Sequence, residues 1–345
     1  MSVVVGWDVG GAHLKGARAE NGRIVAAVQI ASPLWLGFAR LDEAFAAARA
    51  VLGISEANLV TMTGELADAF ASRAEGVAAL AAKAVEALAP EPVSFYGGRV
   101  GLLQPADVGA HVADIASANW HASAALVARR CRDALFIDMG STTTDIIPIA
   151  EGAIAARGYQ DAERLASGEL VYTGLVRSFV FAVARRAPFD GVRTPLMDEF
   201  FANMADVHRI LGTLPDGVDQ QATADGRDKS VGASRARLAR TIGRDAADAD
   251  DARWRALAGW FAEQQLRHIA DAAMLVASTG RVRDDAPIVG AGIGVERLRE
   301  LGRRLSRPFV AFDTLIEVEP SASAPAAHFA PAAALALLAG SPDRT

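Results

Sequence analysis

Cysteine is nearly absent: Cys131 is the only one in 345 residues. That excludes a disulfide framework and a cysteine-built zinc site, and it fits a reducing, cytoplasmic setting. Positive charge is also in deficit, with 35 Lys+Arg against 41 Asp+Glu and a net charge of −6. Nucleic-acid binders need a basic face, so that class of partner is excluded. Long apolar runs are missing too. The longest, residues 329–340, is mostly alanine, too short to span a bilayer, and reads as a buried helix. Asp8 interrupts the opening apolar run too early for a signal peptide, so no membrane role is expected.

What is present is ordinary globular composition, 51% hydrophobic and 22% charged, enough for about two domains. Residues 3–31 read as three short strands separated by turn signals at Gly10-Gly11 and Asn21-Gly22. A helix is expected over 42–52, a buried strand over 58–64, and a long Ala/Leu helix over 65–89. A further helix over 119–132 has Ser117 or Asn119 as its expected cap. Residues 169–212 read as helical, 215–251 as a polar loop with one helix, and 251–279 as a long amphipathic helix. The last helix covers 331–338. The division expected is 1–130 and 131–345, with a helical insertion at about 165–280 and the last helix packing back on the first half.

Three segments carry chemistry. In the first, a strand ends in Asp8, followed by Val9, Gly10, Gly11, Ala12 and His13. Two glycines let the backbone approach a ligand, and turn N–H groups make an anion-binding concavity. A carboxylate beside them suits Mg²⁺, which keeps several waters. The second segment repeats this layout 130 residues later, with Asp138, Gly140, Ser141, Thr142 and Thr143. Its hydroxyls can donate to phosphate oxygens, and Asp138 takes the metal-binding role proposed for Asp8. A repeat of this length implies a duplicated domain. The third is a strand-to-helix turn with Gly290, Gly292 and Gly294, where a helix N-terminus favours an anion or nucleotide such as ATP or ADP. Lys15 lies two residues beyond His13 on the same strand face and suits a phosphate or an acidic substrate tail. Arg227 and Lys229, in a polar loop, suit acceptor carboxylates, whereas Trp35, Trp120 and Trp254 are the residue type that more often fills cores.

The order of these segments resembles the sugar kinase, actin and heat-shock chaperone superfamily, across residues 3 to about 338. The resemblance implies an α/β fold of two ribonuclease H-like domains, with mixed sheets flanked by helices around a central cleft. In that pattern the first two motifs hold phosphates and metal, and the third lies by the adenosine. One departure matters. In the sugar kinases with this layout an Asp follows an Asn and activates the sugar hydroxyl, but here Trp120 follows Asn119. An indole cannot take that proton.

More narrowly, the chain is similar to hydantoinase/oxoprolinase-related proteins of the tetrahydromethanopterin-linked one-carbon pathway. The residues behind this are Gly6 to Lys15, Thr63 to Leu66, Ser117 to Trp120, Gly168 to Gly174 and Thr223 to Arg227. The resemblance implies a transferase of methanofuran or methylofuran synthesis. It would join an aminomethyl-furan-methanol diphosphate to the phenol of a γ-glutamyl-tyramine or tyrosine-type acceptor and release diphosphate. A phenol of pKa near 10 calls for a general base, and the candidates are His121, Glu65 and His208, in that order. Trp120, Asp225 and Arg227 are the expected acceptor contacts. The alternatives are an ATP-dependent small-molecule kinase or ATPase of the same fold, and a nucleotide-dependent scaffold. A homodimer is compatible with each.

Overall fold

The computed structural model describes residues 2–320, 322 and 326–339. The chain opens with β1 (Val3–Val9), β2 (His13–Glu20) and β3 (Arg23–Ala31), an antiparallel meander. Helix α1 (Ala39–Leu52) returns the chain to β4 (Ala57–Met62), parallel to β1. Helix α2 (Arg73–Leu88) leads to β5 (Val93–Tyr96), parallel to β4, and the short β6 (Leu102–Leu103) closes the edge. The order across this sheet is β3-β2-β1-β4-β5-β6.

After α3 (Val112–Ile115) and α4 (Asn119–Arg130), the pattern starts again. Strands β7 (Ala134–Met139) and β8 (Thr144–Ala150) are antiparallel, and β9 (Ala153–Ile154) pairs with β8. Helix α5 (Asp161–Ser167) precedes β10 (Leu170–Val171) on the other edge of β8. Next come α6 (Val180–Val183), the hairpin β11 (Arg186–Phe189) and β12 (Val192–Pro195), α7 (Met204–Leu211), α8 (Val231–Arg240) and α9 (Asp251–Ala277). Strand β13 (Ile288–Ala291) then enters the second sheet parallel to β7. It is followed by α10 (Val295–Arg304), β14 (Phe309–Ala311) and α11 (Ala330–Leu338). The second sheet runs β10-β8-β7-β13-β14, so both sheets have an antiparallel half and a parallel half that meet at the strand carrying the motif aspartate. The fold is α/β with two mixed sheets flanked by helices.

One packing choice joins the halves. Gly6 in β1 has no side chain because a Cβ there would lie 2.0 Å from the Ala332 carbonyl oxygen. The alanine-rich α11 therefore lies directly on β1, buried from Ala330 to Leu337. Its other neighbour is α4, and one core runs from Ala17 and Leu59 through α11 and α4 to Phe136 and Val289 of the second sheet. On the far side, α9 buries Trp254, Leu257, Ala258, Phe261, Leu266, Ile269, Ala273 and Val276, spaced as one helical face.

Three local expectations are corrected. The helix expected from residue 65 starts at Arg73, because the Ser72 hydroxyl caps it by accepting from Glu75 N–H at 3.2 Å. Residues 64–66 form a separate 3-10 turn. Helix α4 has Ala118 at its cap without a side-chain bond, and Ser117 gives its hydroxyl to Glu65 instead. The segment 169–212 is not uniformly helical. It holds the β11–β12 hairpin, turned at Asp190-Gly191, both with positive φ.

Candidate active site

The turns after β1 and β7 are built alike. Gly10 N–H donates to the His13 carbonyl at 3.0 Å, and Gly140 N–H to the Thr143 carbonyl at 2.9 Å. Each turn follows an aspartate near the end of its strand, and the two aspartates share one electrostatic neighbourhood with Asp145 and Lys15. Lys15 Nζ lies 3.9 Å from Asp8 Oδ2, its neighbour across the β1–β2 ladder. Arg164, buried, bonds Asp145 at 2.7 Å.

Three carboxylates against two cations leave an excess of negative charge. Burial raises Asp8, opposed by Lys15 and an Asn119 hydrogen bond and supported by Asp145. Burial and the Asp145 charge push Asp138 up to about 7, against the pull of Lys15. Burial also raises Asp145, opposed by Arg164. Asp8 Oδ1 is buried with no hydrogen-bond partner. A cation relieves both the repulsion and the orphaned oxygen, so the donor set fits Mg²⁺. Among the described residues no group of three or more His, Cys, Asp or Glu is arranged to ligate a metal. The arrangement therefore suits a hydrated ion held by Asp8 and Asp138.

The phosphate candidates fall on both walls. His13 is buried, and burial together with Lys15 and Arg177 pushes its imidazole down to about 3, so it is neutral at pH 7. Gln221 reaches across from the polar loop to donate to the Ala12 carbonyl at 2.8 Å, 3.4 Å from His13 Nε2. On the second wall, Ser141 Oγ is buried and unpartnered. Gly174 backs this loop, since a Cβ there would lie 2.5 Å from Thr142 N.

Arg177, like Arg164, is a site residue that sequence reasoning missed. Its backbone N–H donates to the Ser141 carbonyl at 2.9 Å, and its guanidinium lies 3.5 Å from Thr142 Oγ1. It also lies 5.0 Å from the ring centre of Trp35, in the first half of the chain. Trp35 is 44% exposed and is no core residue. No carboxylate pairs with Arg177 among the described residues. Nothing local in the sequence marks it, because its meaning depends on Trp35 and Thr142 arriving from elsewhere.

The three base candidates differ sharply. Glu65 sits on the 3-10 turn whose Gly64 packs on the first phosphate turn, where a Cβ would be 3.2 Å from Gly10 C. Its Oε1 accepts from Ser117 Oγ at 2.8 Å, its Oε2 is buried and unpartnered, and burial raises its carboxyl. His121 is half-buried among Trp120, Tyr159 and Tyr96, with Nδ1 2.9 Å from the Tyr96 hydroxyl. Burial, Arg99 and Arg164 push it down to about 4, which makes it a weak base. His208 is fully buried, with both ring nitrogens engaged by Thr213 at 2.9 Å and Gln265 at 3.2 Å. That removes it from the base candidates. Gln265 in turn donates to the Gly174 carbonyl at 2.8 Å, so His208 buttresses the second phosphate turn.

The expected acceptor contacts are also corrected. Trp120 is buried with the Arg164 guanidinium 4.2 Å from its ring centre, so it offers no open face to an acceptor. Asp225 is taken up by Arg237 at 3.0 Å and Arg240 at 3.2 Å, and Arg227 is exposed beside it. Together they anchor the polar loop. The glycines of the third motif are each required by close packing, and a pocket opens at the same turn beside Ile293, Gly294 and Val295. A Cβ on Gly292 would lie 2.3 Å from Asp138 Oδ1, one on Gly294 2.4 Å from Met139 Sδ, and one on Gly290 2.5 Å from Phe309. Gly292 N–H donates to the Ala327 carbonyl and Gly294 N–H to that of Met139.

Residues 56–279 match the hydantoinase/oxoprolinase family, and the chain belongs to it. A relative from Methanocaldococcus jannaschii, (4-{4-[2-(gamma-L-glutamylamino)ethyl]phenoxymethyl}furan-2-yl)methanamine synthase, is 32% identical over 245 residues, covering 70% of this chain and 71% of the relative. A protein of the same name from Methanococcus vannielii is 35% identical over 96 residues, covering 28% of this chain and 43% of that protein. Among solved structures, component A of (R)-2-hydroxyglutaryl-CoA dehydratase from Acidaminococcus fermentans aligns over 98% of this chain and 97% of its own. Its TM-score is 0.48 and its identity 14%. No helix of the described residues is long and apolar enough to cross a membrane.

Proposed function

We propose that this protein is a transferase that forms an aryl–alkyl ether. It joins the methylene carbon of an aminomethyl-furan-methanol diphosphate to the phenol oxygen of a γ-glutamyl-tyramine or tyrosine-type acceptor. The observation that carries this reading is the pair of like-built turns, each beside an aspartate, with Lys15 by the first and Ser141, Thr142 and Arg177 by the second. Such a site suits a diphosphate. The relatives' name supplies the chemistry, since a phenoxymethyl-furan contains this ether link.

The bond from the furfuryl methylene to diphosphate oxygen breaks, and its electron pair leaves with the diphosphate. A lone pair of the phenol oxygen forms the new C–O bond. The phenol proton passes to a base, and no oxidation or reduction occurs. Turns 10–13 and 140–143 hold the phosphates, with Lys15 and Arg177 offsetting their charge. Asp8 and Asp138 would hold Mg²⁺, which when bound neutralises charge on the leaving diphosphate. Glu65 is the best placed base: it follows Gly64, which packs on the first turn, it keeps one oxygen unpartnered, and burial raises its carboxyl above the usual range, which favours proton uptake.

The kinase alternative rests on the Gly290–Gly294 turn, whose glycines pack against Asp138, Met139 and Phe309 at the edge of a pocket. The test is incubation with Mg²⁺, the furfuryl diphosphate and either acceptor, without ATP, with mass detection of the ether. Acceptor-dependent product that vanishes in Asp8→Asn and Asp138→Asn is expected. No ether with either acceptor, but ATP hydrolysis or a phosphorylated metabolite in a parallel assay, overturns the reading.

A further inference from the structure

A pocket of about 400 Å³ opens beside the start of α10. Its walls include Leu175 and Thr213 on one side and Ala327 and His328 on the other. It adjoins the carboxylate site. Leu175 N–H donates to the Gly140 carbonyl, and His328 lies within the electrostatic reach of both Lys15 and Asp313.

The charged groups of this pocket do not cancel. Glu296 and Arg299 pair with each other at 3.2 Å, and Arg299 also covers the Phe309 ring at 4.6 Å. That leaves Arg297 and Asp313. Arg297 is half-buried and feels the charges of Arg304, Glu263 and Glu300, yet its guanidinium has no hydrogen bond or ion pair with any described residue. Asp313 Oδ1 is buried with no partner. The two do not bond each other, although both line the same cavity. Leaving partly buried charges without bonded partners is costly, so a pocket lined by one of each sign is matched to a ligand carrying both. A nucleotide phosphate would satisfy Arg297 and be repelled by Asp313. A simple amine would satisfy Asp313 and leave Arg297 bare.

We propose that this pocket seats an α-amino-acid head group, with Arg297 binding its carboxylate and Asp313 its ammonium. Resting on the transferase reading, this makes the acceptor a phenol that carries an amino-acid end, and it makes Arg297 and Asp313 the residues that select it over a plain phenolic amine. The γ-glutamyl end of γ-glutamyl-tyramine and the backbone end of tyrosine are both such groups.

The test is direct binding by calorimetry, with γ-glutamyl-tyramine, L-tyrosine, tyramine and ADP as probes and no furfuryl donor present. An amino-acid-bearing phenol should bind on the order of tenfold or more tighter than tyramine, the size of one lost charge-assisted hydrogen bond. Arg297→Gln and Asp313→Asn should each remove that preference, and Arg297→Lys should keep part of it. Unchanged affinity for inorganic diphosphate identifies a folded variant, and Asp313→Asn stands alone if Arg297→Gln does not fold. Equal binding of tyramine and the amino-acid phenols overturns the proposal. So does ADP binding that Arg297→Gln weakens. A preserved preference without any ether formation supports the pocket and sinks the transferase reading alone.

Discussion

Replacing Asp138 by Asn should stabilise the metal-free protein at pH 8 while abolishing its activity. Burial, then the Asp145 charge, lift this carboxyl from 3.8 to about 7, with Lys15 opposing and Asp8 adding. Below about pH 4 the folded and unfolded chains both hold the proton, and the group is neutral in its effect. Between about pH 4 and 7 the unfolded chain releases the proton while the folded chain keeps it. The folded state then binds more protons, so stability falls as pH rises, and the loss is complete above about 7. At about 1.4 kcal/mol for each pH unit, the penalty is at most about 4 kcal/mol. Partial exposure of the side chain and its screening by water reduce this to roughly 2 kcal/mol. Asn keeps the shape and removes the charge. The assay is urea unfolding at pH 5 and pH 8 in a chelator, where ΔG is read from the midpoint and slope. Wild type should lose more stability than Asp138→Asn between those pH values. Millimolar Mg²⁺ should restore wild type at pH 8 and leave the variant unchanged. An equal pH dependence in the two proteins, or a variant less stable at pH 8, would refute the reasoning.

Arg177→Gln should weaken inhibition by inorganic diphosphate about tenfold or more with little change in stability, because the lost contact is to ligand rather than to a carboxylate; an unchanged inhibition constant removes Arg177 from the site. Arg164→Met leaves the half-buried Asp145 without its cation and should cost about 3 kcal/mol in chemical denaturation; a cost under about 1 kcal/mol means Asp145 has another cation. Gly174→Ala pushes a methyl against Thr142 N, 2.5 Å away, and should cost about 1–3 kcal/mol with a larger loss of turnover, whereas wild-type turnover would show that the second turn tolerates displacement. Glu65→Gln should lower turnover by about 10²–10⁴, and His121→Gln by far less; the reverse order would return the base role to His121.

The strands bearing Asp8 and Asp138, with the turns after them, were legible because each motif is local: strand, carboxylate, glycine and hydroxyls lie within a few residues. The β11–β12 hairpin had a local signal as well, Asp190-Gly191 between alternating residues, but the surrounding apolar run masks it. The start of α2 was misplaced because alanine-rich sequence has helix propensity on both sides of the Ser72 cap. The contribution of Arg177 and Arg164 was not legible, since neither has a motif and each acts through partners brought together by the fold. The third glycine motif was visible as a pattern, yet its role depended on Asp138 and Met139 lying where its side chains would be. His208 shows the same limit, because only its two buried partners separate a buttress from a base.

The seating of α11 on β1 bears on how the polypeptide matures. Strand β1 leaves the ribosome roughly 320 residues ahead of the helix that fits against Gly6, residues 330–338. At about 5–20 residues per second, that helix emerges roughly 15–60 s later. Throughout that interval the apolar face formed by Val4, Ala17, Ala19 and Leu59 lacks its native cover. The first sheet therefore cannot finish folding until residues 330–338 have emerged, and a fragment ending near residue 130 would present a sticky surface instead of an independent unit.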